Sequence, residues 1–286
     1  MFKTLKNKYL LGLALALGMP AAAVAQANGG QTQSTDNALT YADLAGLSDA
    51  ADLVIRAQIR RQIEVEPERA PGLKAGFARL YIESQTLALI SGSAPIGESL
   101  RYLVDVPLTA KGKPPKLKKS EVMLFARAST NSASQIQLVS SAAQLPYSLA
   151  LEERLRPILA ELAEADSPAA VTGVRDALSV SGNLAGESET QIFLKTTDNS
   201  PVSIAVLRRP GQQPLWGVSW GEIIDQSARP PRPQTIGWFR LACALPPSLP
   251  SGANLSRDRT QRLQAERDYR YVMGALGPCV RKLAQS

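Results

Sequence analysis

Leu53-Val54-Ile55-Arg56-Ala57-Gln58-Ile59-Arg60-Arg61-Gln62-Ile63-Glu64 is the stretch that decides the fold. Leu53, Ile55, Ala57 and Ile59 alternate with Val54, Arg56, Gln58 and Arg60, and Ile63 and Val65 stay in phase beyond Arg61. Such alternation marks a half-buried strand, because successive side chains point to opposite faces. A return strand follows, with Leu80, Ile82 and Ser84 set against Arg79, Tyr81 and Glu83. Pro67, Pro71, Gly72 and Gly76 punctuate the loop between the two. The chain is therefore expected to start its fold on a long β-hairpin.

Working outward, Leu100, Tyr102, Val104 and Val106 alternate with Arg101 and Asp105. A buried run, Val122-Met123-Leu124-Phe125, sits inside 121–127, and Ile136 and Leu138 carry a last short strand. Upstream, Thr40 followed by Asp43 reads as a helix start, with Leu44, Leu47 and Ala51 as its apolar stripe. Five short antiparallel strands and one helix over 40–148 predict a small OB-like β-barrel, which removes exposed edges. A flat sheet against the later helices is the competing arrangement.

Over 149–286 the pattern changes. Leu151, Leu155, Ile158, Leu159 and Leu162 repeat at helical spacing in 151–165. Strands are expected at 171–180, 190–196, 202–208 and 215–220, and the turns Asp198-Asn199 and Pro210-Gly211 favour an antiparallel meander. Val174, Ala177 and Leu178 in the first of these would also suit a helix. After a proline-rich connector at 226–234 come helices at 236–245 and 256–276, the second stopped by Gly277-Pro278. The fold class is thus α+β: an OB-like barrel domain, then an α+β domain with C-terminal helices.

The amino terminus places the chain. Lys3, Lys6 and Lys8 precede an apolar core at 9–19, Pro20 breaks it, and Ala23-Val24-Ala25 and Ala25-Gln26-Ala27 offer small-residue cleavage sites. Residues 1–27 read as a signal peptide and 28–39 as a polar, disordered leader, so the expectation is a periplasmic protein. Losing the three signal lysines lowers the formal charge from +7 to +4, too mild to argue for nucleic acid. Cys243 and Cys279 are the only cysteines, and in an oxidising compartment an even pair is expected as a disulfide. It would tie two helices across a loop of about 35 residues and contribute about 2 to 4 kcal/mol.

Histidine is absent, which removes Ser-His-Asp and Cys-His nucleophile systems and the commonest zinc ligand. Neither a Gly-Lys-Ser/Thr phosphate loop nor a Gly-x-Gly-x-x-Gly turn follows a strand, and no cofactor or metal is expected. Glu187 and Glu189, two apart at a strand start, would share a face about 7 Å apart, a spacing used by paired glycosidase carboxylates. They carry the alternative reading, a carboxylate-dependent hydrolase of an envelope polymer; the plainer one is solvated acids. Lys111, Lys113, Lys116, Lys118 and Lys119 crowd a stretch that holds Pro114-Pro115 and no acid. Such a loop suits contact with anionic lipid or glycan, or merely discourages edge pairing. Trp216, Val218 and Trp220 share a strand face, expected as core beside Trp238 and Phe239. The leading expectation is a non-enzymatic periplasmic binding or interaction protein that contacts anionic envelope components.

Gly186-Glu187-Ser188-Glu189-Thr190-Gln191-Ile192-Phe193-Leu194, Arg208-Arg209-Pro210-Gly211-Gln212 and Trp238-Phe239-Arg240-Leu241-Ala242-Cys243 resemble a group of uncharacterised exported proteins of sphingomonad-type bacteria. That resemblance implies a periplasmic location and the same two-part layout, and brings no activity with it. Ala51-Asp52-Leu53-Val54-Ile55-Arg56 is similar to the first strand of small barrel domains in many secreted bacterial proteins.

N-terminal sequencing of the exported protein should begin at Gln26 or Asn28. An intact mass that retains Met1 would overturn the signal-peptide reading.

Overall fold

The computed structural model describes residues 39–283, apart from 131 and 222–227. The expected signal peptide and all of the leader except Leu39 lie outside the described residues. Helix α1 (Tyr41–Asp49) begins at the expected place, where Thr40 and Asp43 each accept the other's backbone N–H in a capping box. The chain then enters β1 (Leu53–Glu64), which pairs antiparallel with β2 (Phe77–Ser91) on one edge and with β4 (Glu121–Ala128) on the other. β3 (Ser99–Pro107) lies outside β2, and β5 (Ile136–Leu138) and β6 (Gln144–Pro146) both pair with β4.

The first sheet thus runs β3-β2-β1-β4-β5, with β6 as a sixth strand where five strands were expected. Its ladder does not close into a barrel. β3 and the segment leading into β5 meet at a single parallel bridge, Arg101 to Gln135. The reason is local: β5 is three residues long, and the chain then turns to lay β6 against β4. Among the described residues no strand pairs with the rest of β3 on that side.

Helix α2 (Leu149–Ala163) opens on Ser148, whose hydroxyl accepts the Leu151 N–H. The second sheet is the expected meander, β7 (Val171–Ser181), β8 (Ser188–Thr196), β9 (Ser203–Arg208) and β10 (Leu215–Ser219). β7 is a strand despite its helix-like spacing, because register shifts interrupt its pairing with β8. The extra residue between Val174 and Asp176 lets Val174 and Ala177 both face inward. Helices α3 (Ile236–Ala242) and α4 (Arg259–Leu276) complete the chain.

Three cores follow from this arrangement. Ile55, Ile82, Leu100 and Leu124 form the core on one face of the first sheet. Its other face, through Val54, Met123 and Phe125, packs on α1, α2 and α3. The second sheet packs Ile192, Ile204 and Trp216 against Tyr269 and Val272 of α4. Trp238 touches both of the latter cores, so the helices are shared between the sheets.

The carboxyl-terminal segment is fastened twice. Cys243, which caps α3, and Cys279, just past α4, form the expected disulfide with their Cα atoms 5.1 Å apart. Lys282 and Leu283 then donate their backbone N–H groups to the Asp43 carboxylate, each at 3.0 Å. Burial alone would raise the Asp43 carboxyl above its ordinary value, but the donors from Thr40, Leu283 and Lys282 outweigh it and hold it below. No helix among the described residues is long and apolar enough to cross a membrane.

A depressed folded-state value means that Asp43 stabilises the fold above its unfolded pKa of about 3.9, and that this contribution fades as pH falls through the folded value. Asp43→Asn should therefore lower stability at pH 6 by about 1 to 3 kcal/mol, with a narrower gap at pH 2, below the unfolded value. Urea unfolding of both proteins at the two pH values checks it; a gap that ignores pH would refute the assignment.

Candidate binding surface and groove

The lysine stretch forms the connection between β3 and β4, and all five of its lysines are exposed. Its backbone is held in one shape. The Thr109 N–H and hydroxyl both donate to the Lys113 carbonyl, at 2.9 and 2.8 Å, and Gly112 N–H closes the turn onto Thr109 O at 2.8 Å. Gln62 of β1 clamps the far limb: its amide nitrogen donates to Pro115 O at 2.9 Å and its amide oxygen accepts Leu117 N–H at 2.6 Å. Lys119 takes a left-handed conformation, φ 74°, and passes its N–H to Ile59 O at 2.8 Å as the chain enters β4.

None of the five ammonium groups forms an ion pair among the described residues. An ordered loop with unanswered charges has already lost much of the backbone freedom that a ligand would otherwise have to remove. Gln62 went unnoticed in the sequence because it sits in a strand as an ordinary outward polar residue. Only the return of the β3–β4 connection across β1 gives it a role.

A groove begins where the first sheet fails to close. Two cavities, of about 680 and 630 Å³, share Val104, Asp105 and Ser141 and lie between β3 and the segment 135–146. At one end Arg101 N–H donates to Ser134 O at 2.9 Å, and among the described residues no further bridge joins the two walls. Tyr102, buried and with its phenol pushed up by that burial, spans the floor to Gln144 Oε1 at 2.8 Å. On the outer face Arg79 binds Asp105 through two nitrogens, at 2.7 and 2.8 Å, and that hydrogen-bonded pair raises the guanidinium's pKa. The alternation of β3 was legible in the sequence, but its position as an edge was not.

The two glutamates have separate hydrogen-bond partners. Glu187 lies in the turn before β8, where its carboxylate accepts the N–H groups of Asn183 and Leu184 at 3.1 and 3.2 Å. Glu189 is the second residue of β8 and accepts from the Gln191 amide at 2.7 Å. Neither lines the groove. Trp216 and Val218 are buried against α4 and Trp220 packs at the margin of the same core, whereas Phe239 belongs to the core beneath the first sheet. The opposite face of β10 is covered at Gly217, where a Cβ would lie 2.0 Å from Ala228 O.

Gln62→Ala removes both clamp bonds and should cost about 1 kcal/mol of stability, with faster hydrogen exchange at Leu117 N–H. Exchange at that amide as slow as in the unaltered protein would show that Gln62 does not hold the loop.

In comparisons with known proteins, no family model and no curated protein matches the chain.

Proposed function

We propose that this is an exported, periplasmic binding protein, not an enzyme, and that its β3–β4 loop contacts anionic envelope lipid or glycan. The observation that carries the reading is the loop itself: Lys111, Lys113, Lys116, Lys118 and Lys119 stand exposed and unpaired on a backbone clamped by Gln62. Phosphate or carboxylate groups arrayed on a surface answer such charges without any need for a deep pocket. The chemistry of the acids agrees, since Glu187 spends its acceptors on a turn and Glu189 on Gln191. The disulfide between Cys243 and Cys279 fits an oxidising compartment.

The first domain reads best as an OB-like barrel with an open seam. Its strand order and the parallel contact of Arg101 with Gln135 support that reading, because a barrel of this kind brings its outer strands together in the same way. The fold by itself does not select a ligand.

The mature protein should be retained on vesicles of anionic lipid or on an acidic polysaccharide, with retention falling as salt is raised. At low salt each lysine near an anionic surface contributes about 1 kcal/mol, so changing all five to Gln should weaken partitioning by about a hundredfold or more. Equal retention of both proteins, or none by either, would leave the lysines as solvated loop residues.

A further inference from the structure

The edge of β3 has a chemistry distinct from the lysine loop. Along the β2–β3 ladder, Thr86 N–H reaches Glu98 O and Leu108 N–H reaches Gly76 O, both at 2.8 Å, so even-numbered β3 residues exchange backbone bonds with β2. Odd-numbered residues turn their N–H and C=O groups the other way. Arg101 does so onto Ser134, but among the described residues no β-bridge joins Leu103 or Asp105, the next two, to a strand on that side. Both line the groove opposite the segment 135–146, Leu103 in one cavity and Asp105 in both. Edges like this are usually shortened, charged or covered, because unpaired strand groups recruit another strand. Here Pro107 ends the strand, and the residues before it are left open.

Side chains around the edge specify what it would accept. Leu103 is 51 % exposed and Phe77 38 %, giving apolar footholds on the outer face and at the far end of the groove. Charge is one-sided: Lys74, Arg79, Arg101 and Lys282 line the two cavities against one carboxylate, Asp105, which Arg79 already neutralises. A strand carrying alternate acidic and apolar side chains meets both conditions. Its backbone would take the free N–H and C=O groups, its acids the cations, and its apolar residues Leu103 and Phe77.

We propose that the groove between β3 and the segment 135–146 binds an acidic, extended peptide segment of a partner protein by strand addition to Leu103 and Asp105. The site does not depend on the lysine loop. Selection on the full mature protein with a library of blocked, randomised dodecapeptides should enrich sequences that alternate acidic and apolar residues. N-methylation of their alternate amides should weaken binding at least about tenfold, because it removes the backbone bonds and keeps every side chain.

Leu103→Pro removes one groove-facing N–H, at a place where an edge strand tolerates proline, and should weaken the peptides by a similar factor with the thermal midpoint little changed. Arg101→Glu, which leaves the backbone intact, should weaken the acidic peptides selectively. The variant with all five loop lysines changed to Gln should still bind them, which separates this site from the proposed loop function. Enrichment of no acidic extended sequences, or binders indifferent to N-methylation and to both groove variants, would overturn the proposal. So would a concentration-dependent dimer that Leu103→Pro abolishes, since a second copy would then be the occupant.

Discussion

β1 is the strand on which the other parts depend, because its first residues are buried on both faces and paired on both edges. Leu53 and Ile55 belong to the core within the first sheet, and Val54 to the core beneath the helices. A segment in that position leaves no backbone group to water, so β2 and β4 must both be present before burial is favourable. Farther on, β1 becomes exposed on its outer face, and Gln62 lies where a loop rather than a strand needs support. The same strand that organises the hydrophobic layers thus fixes the shape of the basic loop.

Apolar packing explains that the sheets and helices collapse, but buried polar groups select how they do so. Arg240 of α3 grips Asp49 at the end of α1 through both terminal nitrogens and gives its Nε hydrogen to Pro168 O at 3.0 Å. Asp268 of α4 is fully buried and accepts from Thr190 of β8, Arg208 of β9 and Gln264 of its own helix. Desolvating such groups costs several kcal/mol unless every lone pair is answered, so a shifted α4 would be penalised far more than a shifted apolar helix. The disulfide and the Asp43 tether apply the same logic to the tail. Each joins segments far apart in sequence, which is why periodicity gives no hint of them.

The hairpin, the meander and the helix caps were legible because they follow from neighbours in sequence: alternation at 53–64, Asp198-Asn199 between strands, Thr40 with Asp43. The cysteine pair was legible from compartment and number alone. What escaped was anything set by a bulge or by a returning chain. Val174 and Ala177 carry helical spacing because a bulge adds a residue between them. Gln144–Pro146 ends in a proline and gives no strand signal, yet pairs with β4 because β4 has an edge to fill beyond β5. Glu187 looked like half of a carboxylate pair because spacing alone does not show that its carboxylate turns back onto the Asn183 and Leu184 N–H groups. The groove shares this origin, since it exists only because β5 stops short.

The two proposed surfaces differ in the range and direction of their forces. Exposed lysines attract any polyanion from roughly a Debye length, about 8 Å at physiological salt, and are indifferent to its orientation. The edge of β3 acts only at hydrogen-bond distance, and only on a backbone running along it in register. Charge alone would give attachment without selectivity; the edge alone would give selectivity with slow capture. Pro107 ends β3 where the basic loop begins, so one short stretch of chain carries both. Placing them there costs the fold little, because the loop is clamped by β1 and the edge is held in shape by β2.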